Sequence, residues 1–221
     1  MRDDLARSQD ADETSSVLPL IKLTPRLSDS MIIKGLIFDC DGTLADTMPL
    51  HWLAWNQITS RHGIHFPEDR FYSLGGVPSR DILQMLRDEQ SLGIDPLAVA
   101  KEKEFAYLDL MHKVGPIHEV VTIAREHHGK LPMAVASGGI KPIIEKVLIH
   151  LGIREYFDAI VTSEEVTNQK PAPDIFLEAA RRIGVEAKFC RAYEDTDLGM
   201  TAIRSAGMHA IDVRIMRGTT R

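Results

Sequence analysis

Residues 32–38 (IIKGLIF) form an apolar run that stops abruptly at Asp39-Cys40-Asp41-Gly42-Thr43. A short apolar run closed by a glycine turn reads as a buried parallel strand, and open α/β sheets place their ligands at the carboxyl ends of such strands. Inside a strand, Asp39 and Asp41 would project from the same face, because side chains alternate with a period of two. Gly42 releases the chain instead. Asp39 is then expected at the sheet tip, with Asp41 facing it from the turn across a small gap. Such a pair offers a nucleophile opposite an acid/base.

The next convincing core strand, 131–136, lies about ninety residues on, whereas a plain βαβ crossover needs only about a dozen. Something is inserted. Helical spacing over 48–60 (Leu50, Leu53, Ala54, Ile58), 81–87 and 98–111 predicts an all-helical cap domain at 48–114. The core would then comprise 31–47 and 115–221, with hinges near 46–49 and 114–116, where proline and glycine interrupt the patterns. A helix is expected at 118–128. From residue 131 onward, strands at 133–136, 159–162, 189–193 and 210–213 alternate with helices at 142–151, 174–183 and 198–206. That is an α/β fold with a doubly wound, mostly parallel sheet.

Composition narrows the partners. The chain has 221 residues, 26 of them basic and 32 acidic, and its net charge of −6 argues against a nucleic-acid backbone as ligand. No apolar run approaches the roughly eighteen residues of a membrane span, so no membrane partner is expected. Cys40 and Cys190 fall in or beside expected core strands, which suits reduced buried thiols in the cytoplasm better than a disulfide. Residues 1–30 lack a basic start followed by a long apolar segment, and a mobile tail is expected there rather than a secretory signal. Met31 directly precedes the first strand, and a start there would still yield a complete domain. The protein is expected to act as a monomer.

The strand ends carry further chemistry. Ser137-Gly138-Gly139 would let backbone amides approach an anion at the start of the next helix. Lys170, in Lys170-Pro171-Ala172-Pro173, could neutralise a phosphate from just before a helix. The adjacent carboxylates Glu194 and Asp195 would repel each other unless a cation or a lysine compensates them, and a set of carboxylates without histidine or cysteine ligands suits Mg2+.

D-C-D-G-T, S-G-G, K-P-A-P and Y-E-D-T-D-L-G occur in that order, each after an expected strand. In this the chain resembles the haloacid dehalogenase-like superfamily over residues 31–214. The helical insert resembles the cap of its β-phosphoglucomutase-like group. A-x-E-K-E and K-P-A-P-D-I-F-L-E-A-A bring it nearer to bacterial fructose-1-phosphate/6-phosphogluconate phosphatases. The resemblance implies that Asp39 attacks phosphorus while Asp41 first protonates the leaving oxygen and then activates water. It implies Mg2+ held by Asp39, the Asp41 carbonyl and Asp195 with help from Glu194, and phosphate steadied by Ser137, Gly138 and Lys170. The substrate would be a small phosphorylated metabolite such as a sugar phosphate, chosen by His51, Gly76, Arg80 and Lys103 in the cap. A mutase interconverting β-glucose 1-phosphate and glucose 6-phosphate is the alternative. Against it, Arg80 stands one position later than in mutases, and Gly139 replaces a serine hydroxyl. A non-catalytic sugar-phosphate sensor is the distant alternative, for such a protein could dispense with Asp39 or Asp41, and both are present.

Overall fold

The computed structural model describes residues 32–218; the tail expected at 1–30 lies outside the described residues. Five strands form one parallel sheet, β1 (Gly35–Phe38), β2 (Met133–Ser137), β3 (Ala159–Thr162), β4 (Cys190–Glu194) and β5 (His209–Asp212), in the order β3-β2-β1-β4-β5. The chain winds one way from β1 to β3 and the other way from β4 to β5. The switch point therefore lies between β1 and β4, where doubly wound sheets open a crevice. Phe38 is in register with Val135 of β2 and Tyr193 of β4, so the three strand tips end together.

β1 is buried on both faces because its residues alternate between two cores. Leu36 and Phe38 pack with α5 (His118–His127) and α6 (Lys141–His150), whereas Ile37 packs with α7 (Asp174–Arg182) and α8 (Asp197–Ser205). Each such side chain contributes about 1.5–3 kcal/mol of burial. Near the tip, Phe38 stacks on Tyr193 with ring centres 4.7 Å apart, which stiffens the strand end that carries Asp39.

Between β1 and α5 stand four helices, α1 (Met48–His62), α2 (Glu68–Ser73), α3 (Ser79–Gln90) and α4 (Pro96–Leu110), with their own apolar cluster around Trp55, Phe66, Phe71 and Leu83. A short α9 (Val213–Met216) follows β5. α4 starts sharply because Pro96 occupies its first turn and the Asp95 carboxylate accepts from the Leu97 N–H. The two connections to the insert run side by side: the Asp46 N–H donates to Gly115 O and the Ile117 N–H to Leu44 O, both at 2.9 Å.

Several expected details shift. Leu53 is 51% exposed, and α1 buries Ala54, Trp55, Ile58 and Thr59 instead, a face set by the large indole. The six residues of α2 bury only Phe71, too little to leave a periodic signal. β4 starts at Cys190 because 187–189 form a 3-10 turn, and it continues to Glu194, which pairs with Asp212. Cys40 and Cys190 are buried and free. Among the described residues, no helix is long and apolar enough to cross a membrane.

Candidate active site

Asp39 directly follows β1 and is buried, and its N–H donates to Tyr193 O at 3.0 Å, so the ladder with β4 holds it at the sheet tip. Its Oδ1 accepts from Lys170 Nζ at 2.7 Å, and the same ammonium donates to Glu194 Oε2 at 2.7 Å. Glu194 Oε1 accepts from the Asp195 and Thr196 N–H groups and the Thr196 hydroxyl. Both Glu194 oxygens are thus engaged, and the residue anchors Lys170 against Asp39. Gly199 on α8 leaves room for this, since a Cβ there would overlap the Glu194 carboxylate. Burial works against the Lys170 charge but is outweighed by Asp39 and Glu194, so the lysine is held above its ordinary pKa.

Asp195 Oδ1 accepts from the Thr43 hydroxyl at 3.0 Å. Gly42 meets two demands at once: its φ is +84°, and a Cβ there would run into Asp195 Oδ2. Asp39, Glu194 and Asp195 each offer a carboxylate oxygen, all within 4.8 Å of one another. Burial, then the charge of Glu194, pushes the Asp39 carboxyl up to about 8, and the same two causes raise Asp195 well above the carboxylate range. The second oxygens of Asp39 and Asp195 have no hydrogen-bond donor among the described residues. Hard oxygen donors crowded beyond what one lysine neutralises are what a small divalent cation fits.

Asp41 lies opposite. Its Oδ1 accepts from the Thr47 hydroxyl at 2.7 Å and from His51 Nε2 at 3.2 Å, and its Oδ2 lies 3.5 Å from the Ser137 hydroxyl. Burial pulls its pKa upward, but the hydrogen bonds from His51 and Thr47 and the charge of Lys103 win, holding it at about 2. Lys103 Nζ donates to His51 Nδ1 at 2.9 Å. That contact makes Nδ1 an acceptor and leaves the His51 proton on Nε2, aimed at Asp41. Burial, helped by the Lys103 charge, keeps the imidazole pKa low. The ring also stacks on Tyr107 at 3.9 Å, so its orientation is fixed from three sides.

Ser137 ends β2 and accepts from the Gly139 N–H at 3.1 Å. A Cβ on Gly138 would run into the Gly76 carbonyl oxygen, and one on Gly75 would press on Thr196 at 2.8 Å. The 74–76 turn of the insert therefore rests directly on the strand-tip loops. Between them lies a cavity of about 550 Å³, lined on one side by Asp39, Asp41 and Ser137 and on the other by His51 and Lys103.

The fold thus gathers Asp39, Asp41, Ser137, Gly138, Lys170, Glu194 and Asp195 with His51, Gly76 and Lys103. Arg80 stands apart: it lines the outer wall, pairs with Asp81 at 2.9 Å and is 62% exposed. Sequence reasoning gave no role to Thr43, Thr47, Tyr107, Thr196 or Glu104, which also form the site's hydrogen bonds, ring contact or wall. Thr43 and Thr196 sit inside the quoted motifs and could have been found there. Glu104 closes the quoted A-x-E-K-E and could have been found there too. Tyr107 carries no local signal, because the packing of α1 on α4 brings it in.

Residues 33–207 match the family model described as haloacid dehalogenase-like hydrolase, and the chain belongs to that family: it is an enzyme, a hydrolase. Among individual relatives it is 42% identical over 183 residues to the fructose-1-phosphate phosphatase YqaB of Escherichia coli, covering 82% of this chain and 97% of that one. It is 31% identical to the β-phosphoglucomutase of Bacillus subtilis, covering 82% and 83% of the two chains. The crystal structure of a β-phosphoglucomutase from Clostridium difficile superposes with a TM-score of 0.72 at 28% identity, covering 81% of this chain and 84% of that one.

Proposed function

We propose that the protein is a phosphatase of small sugar phosphates that works through an aspartyl-phosphate on Asp39, with the helical insert at 48–114 as its cap. The observation that carries this reading is the facing pair: Asp39 against Lys170 at the sheet tip, and Asp41 across the crevice, fixed by Thr47 and His51. Likeness to a sugar-phosphate phosphatase over 82% of the chain supports it.

A carboxylate oxygen of Asp39 bonds to phosphorus while the ester P–O bond breaks, and Asp41 gives its proton to the leaving alkoxide. Water then attacks the acyl phosphate, Asp41 takes the proton, and inorganic phosphate leaves with Asp39 restored. With a pKa near 2, Asp41 rests ionised at neutral pH, the form the second step needs. The proton for the first step arrives with the substrate, since phosphate monoesters have a second pKa of about 6. Lys170, Ser137 and the amides after β2 steady the equatorial oxygens. Asp39, the Asp41 carbonyl and Asp195 would hold Mg2+, which would supply the positive charge that lets an anionic nucleophile approach an anionic phosphate. Two buried free thiols support a reducing, cytoplasmic setting.

The second reading is a mutase, favoured by the 31% identical relative. Arg80 weighs against it, because its guanidinium is committed to Asp81 and open to water, not placed to hold a second phosphate. The deciding assay supplies β-glucose 1-phosphate with a trace of glucose 1,6-bisphosphate and Mg2+. Inorganic phosphate outpacing glucose 6-phosphate is the expected result; the reverse replaces this reading with the mutase.

A further inference from the structure

Tyr107 on α4 is fully buried and stands behind His51, not on the cavity wall. Its ring lies over the imidazole with centroids 3.9 Å apart and planes 14° from parallel. Lys103 precedes it by one helical turn on the same face of α4, and Lys103 Nζ sits 5.7 Å from the centre of the Tyr107 ring. One helix thus supplies both the ammonium that meets Nδ1 at 2.9 Å and the ring that covers the imidazole face. The Tyr107 hydroxyl is buried and has no hydrogen-bond partner among the described residues. Such a group lowers stability and holds nothing, so what Tyr107 brings to the site comes from its ring.

The site has a physical need for that ring. Rotation of an imidazole about its Cβ–Cγ bond is soft, and on the Nε2 side the contact that resists it is with Asp41. That contact changes during the proposed cycle. Asp41 accepts strongly as an anion, but weakly as the neutral acid that must protonate the leaving oxygen. Stacking of the two rings does not depend on the charge of Asp41.

We infer that Tyr107 is a positioning residue for the acid/base: its ring keeps the His51 imidazole aimed at Asp41 while Asp41 carries the proton, so that the proton is delivered to the leaving oxygen. This rests on the phosphatase reading and deepens it. Two esters test it, because fructose 1-phosphate loses a basic alkoxide that needs the proton, whereas p-nitrophenyl phosphate loses a phenolate that does not. Tyr107→Leu and Tyr107→Met are each expected to lower kcat/KM for fructose 1-phosphate at least about tenfold, and its ratio to that for p-nitrophenyl phosphate at least about fivefold. Tyr107→Phe keeps the ring and should hold the ratio within about twofold of wild type. In a His51→Ala background, Tyr107→Leu should move the ratio no further. A merely structural role would lower both esters alike. A ratio unmoved in the two non-aromatic variants, a fall in Tyr107→Phe as large as theirs, or the full fall on top of His51→Ala overturns the inference. The ratio is independent of how much of a preparation is folded, and if neither non-aromatic variant folds, Tyr107→Phe decides alone by keeping or losing it. If the wild type hydrolyses both esters and the ratio fails these expectations, only this inference falls. If it releases phosphate with Mg2+ from the aryl ester alone or from neither, the phosphatase reading falls and takes it along.

Discussion

Asp39 is held by one lysine among carboxylates: Lys170 touches it, while the Glu194 and Asp41 charges and its own burial favour the protonated form. Its carboxyl is therefore raised from 3.8 to about 8, so across that window the fold binds a proton that the unfolded chain does not. The sign follows: the metal-free protein loses stability as pH rises through the window, and Mg2+ binding must expel the proton. Calorimetric titration of metal-free enzyme with Mg2+ is expected to show affinity rising by up to about tenfold per pH unit from pH 6 to 8 and levelling above, with proton release in the lower range. Affinity flat across that range would mean Asp39 is not a ligand. Asp39, Asp41, Lys170 and Glu194 were legible because each stands at the end of an apolar strand or in a short motif. Tyr107 was not, for Lys103 meets His51 across 52 positions of sequence, and only helix packing fixes what stands beside them.

At the scale of elements, the strands were legible from their apolar runs, while boundaries moved where turns intervened and α2 left no pattern at all. What the pattern could not reveal is how closely the insert sits on the sheet. The backbone carbonyl of Gly76 occupies the space a side chain at Gly138 would need. Backbone cannot swing away as a flexible side chain does, so Gly138→Ala should lift the 74–76 turn and widen the crevice while leaving the two sheet cores untouched. The expectation is a fall of at least about tenfold in kcat/KM, since misplacement by about 1 Å can cost a hundredfold. The thermal midpoint should move by no more than a few degrees. Wild-type activity in this variant would show that the contact plays no part in catalysis.

The whole molecule is an anion, with net charge −6, yet the proposed substrate is an anion too. Long-range attraction cannot draw it in, so recognition must rest on charges placed inside the crevice: Lys170 and the cation site at the phosphate end, and Lys103 across from them. The parallel sheet aligns the tips of β1, β2 and β4, and the insert covers them, which leaves one cavity where chemistry and selection meet. All of this presupposes that phosphorus becomes bonded to Asp39. The most direct measurement uses Asp41→Asn, which should slow attack of water on the intermediate, with acetyl phosphate, whose leaving group needs no acid. After brief reaction with Mg2+, acid quench and borohydride reduction, mass spectrometry of the peptide containing residue 39 should find homoserine at that position, the product of reducing an aspartyl-phosphate. Rapid release of inorganic phosphate with residue 39 unmodified, or with the modification elsewhere, would contradict the account.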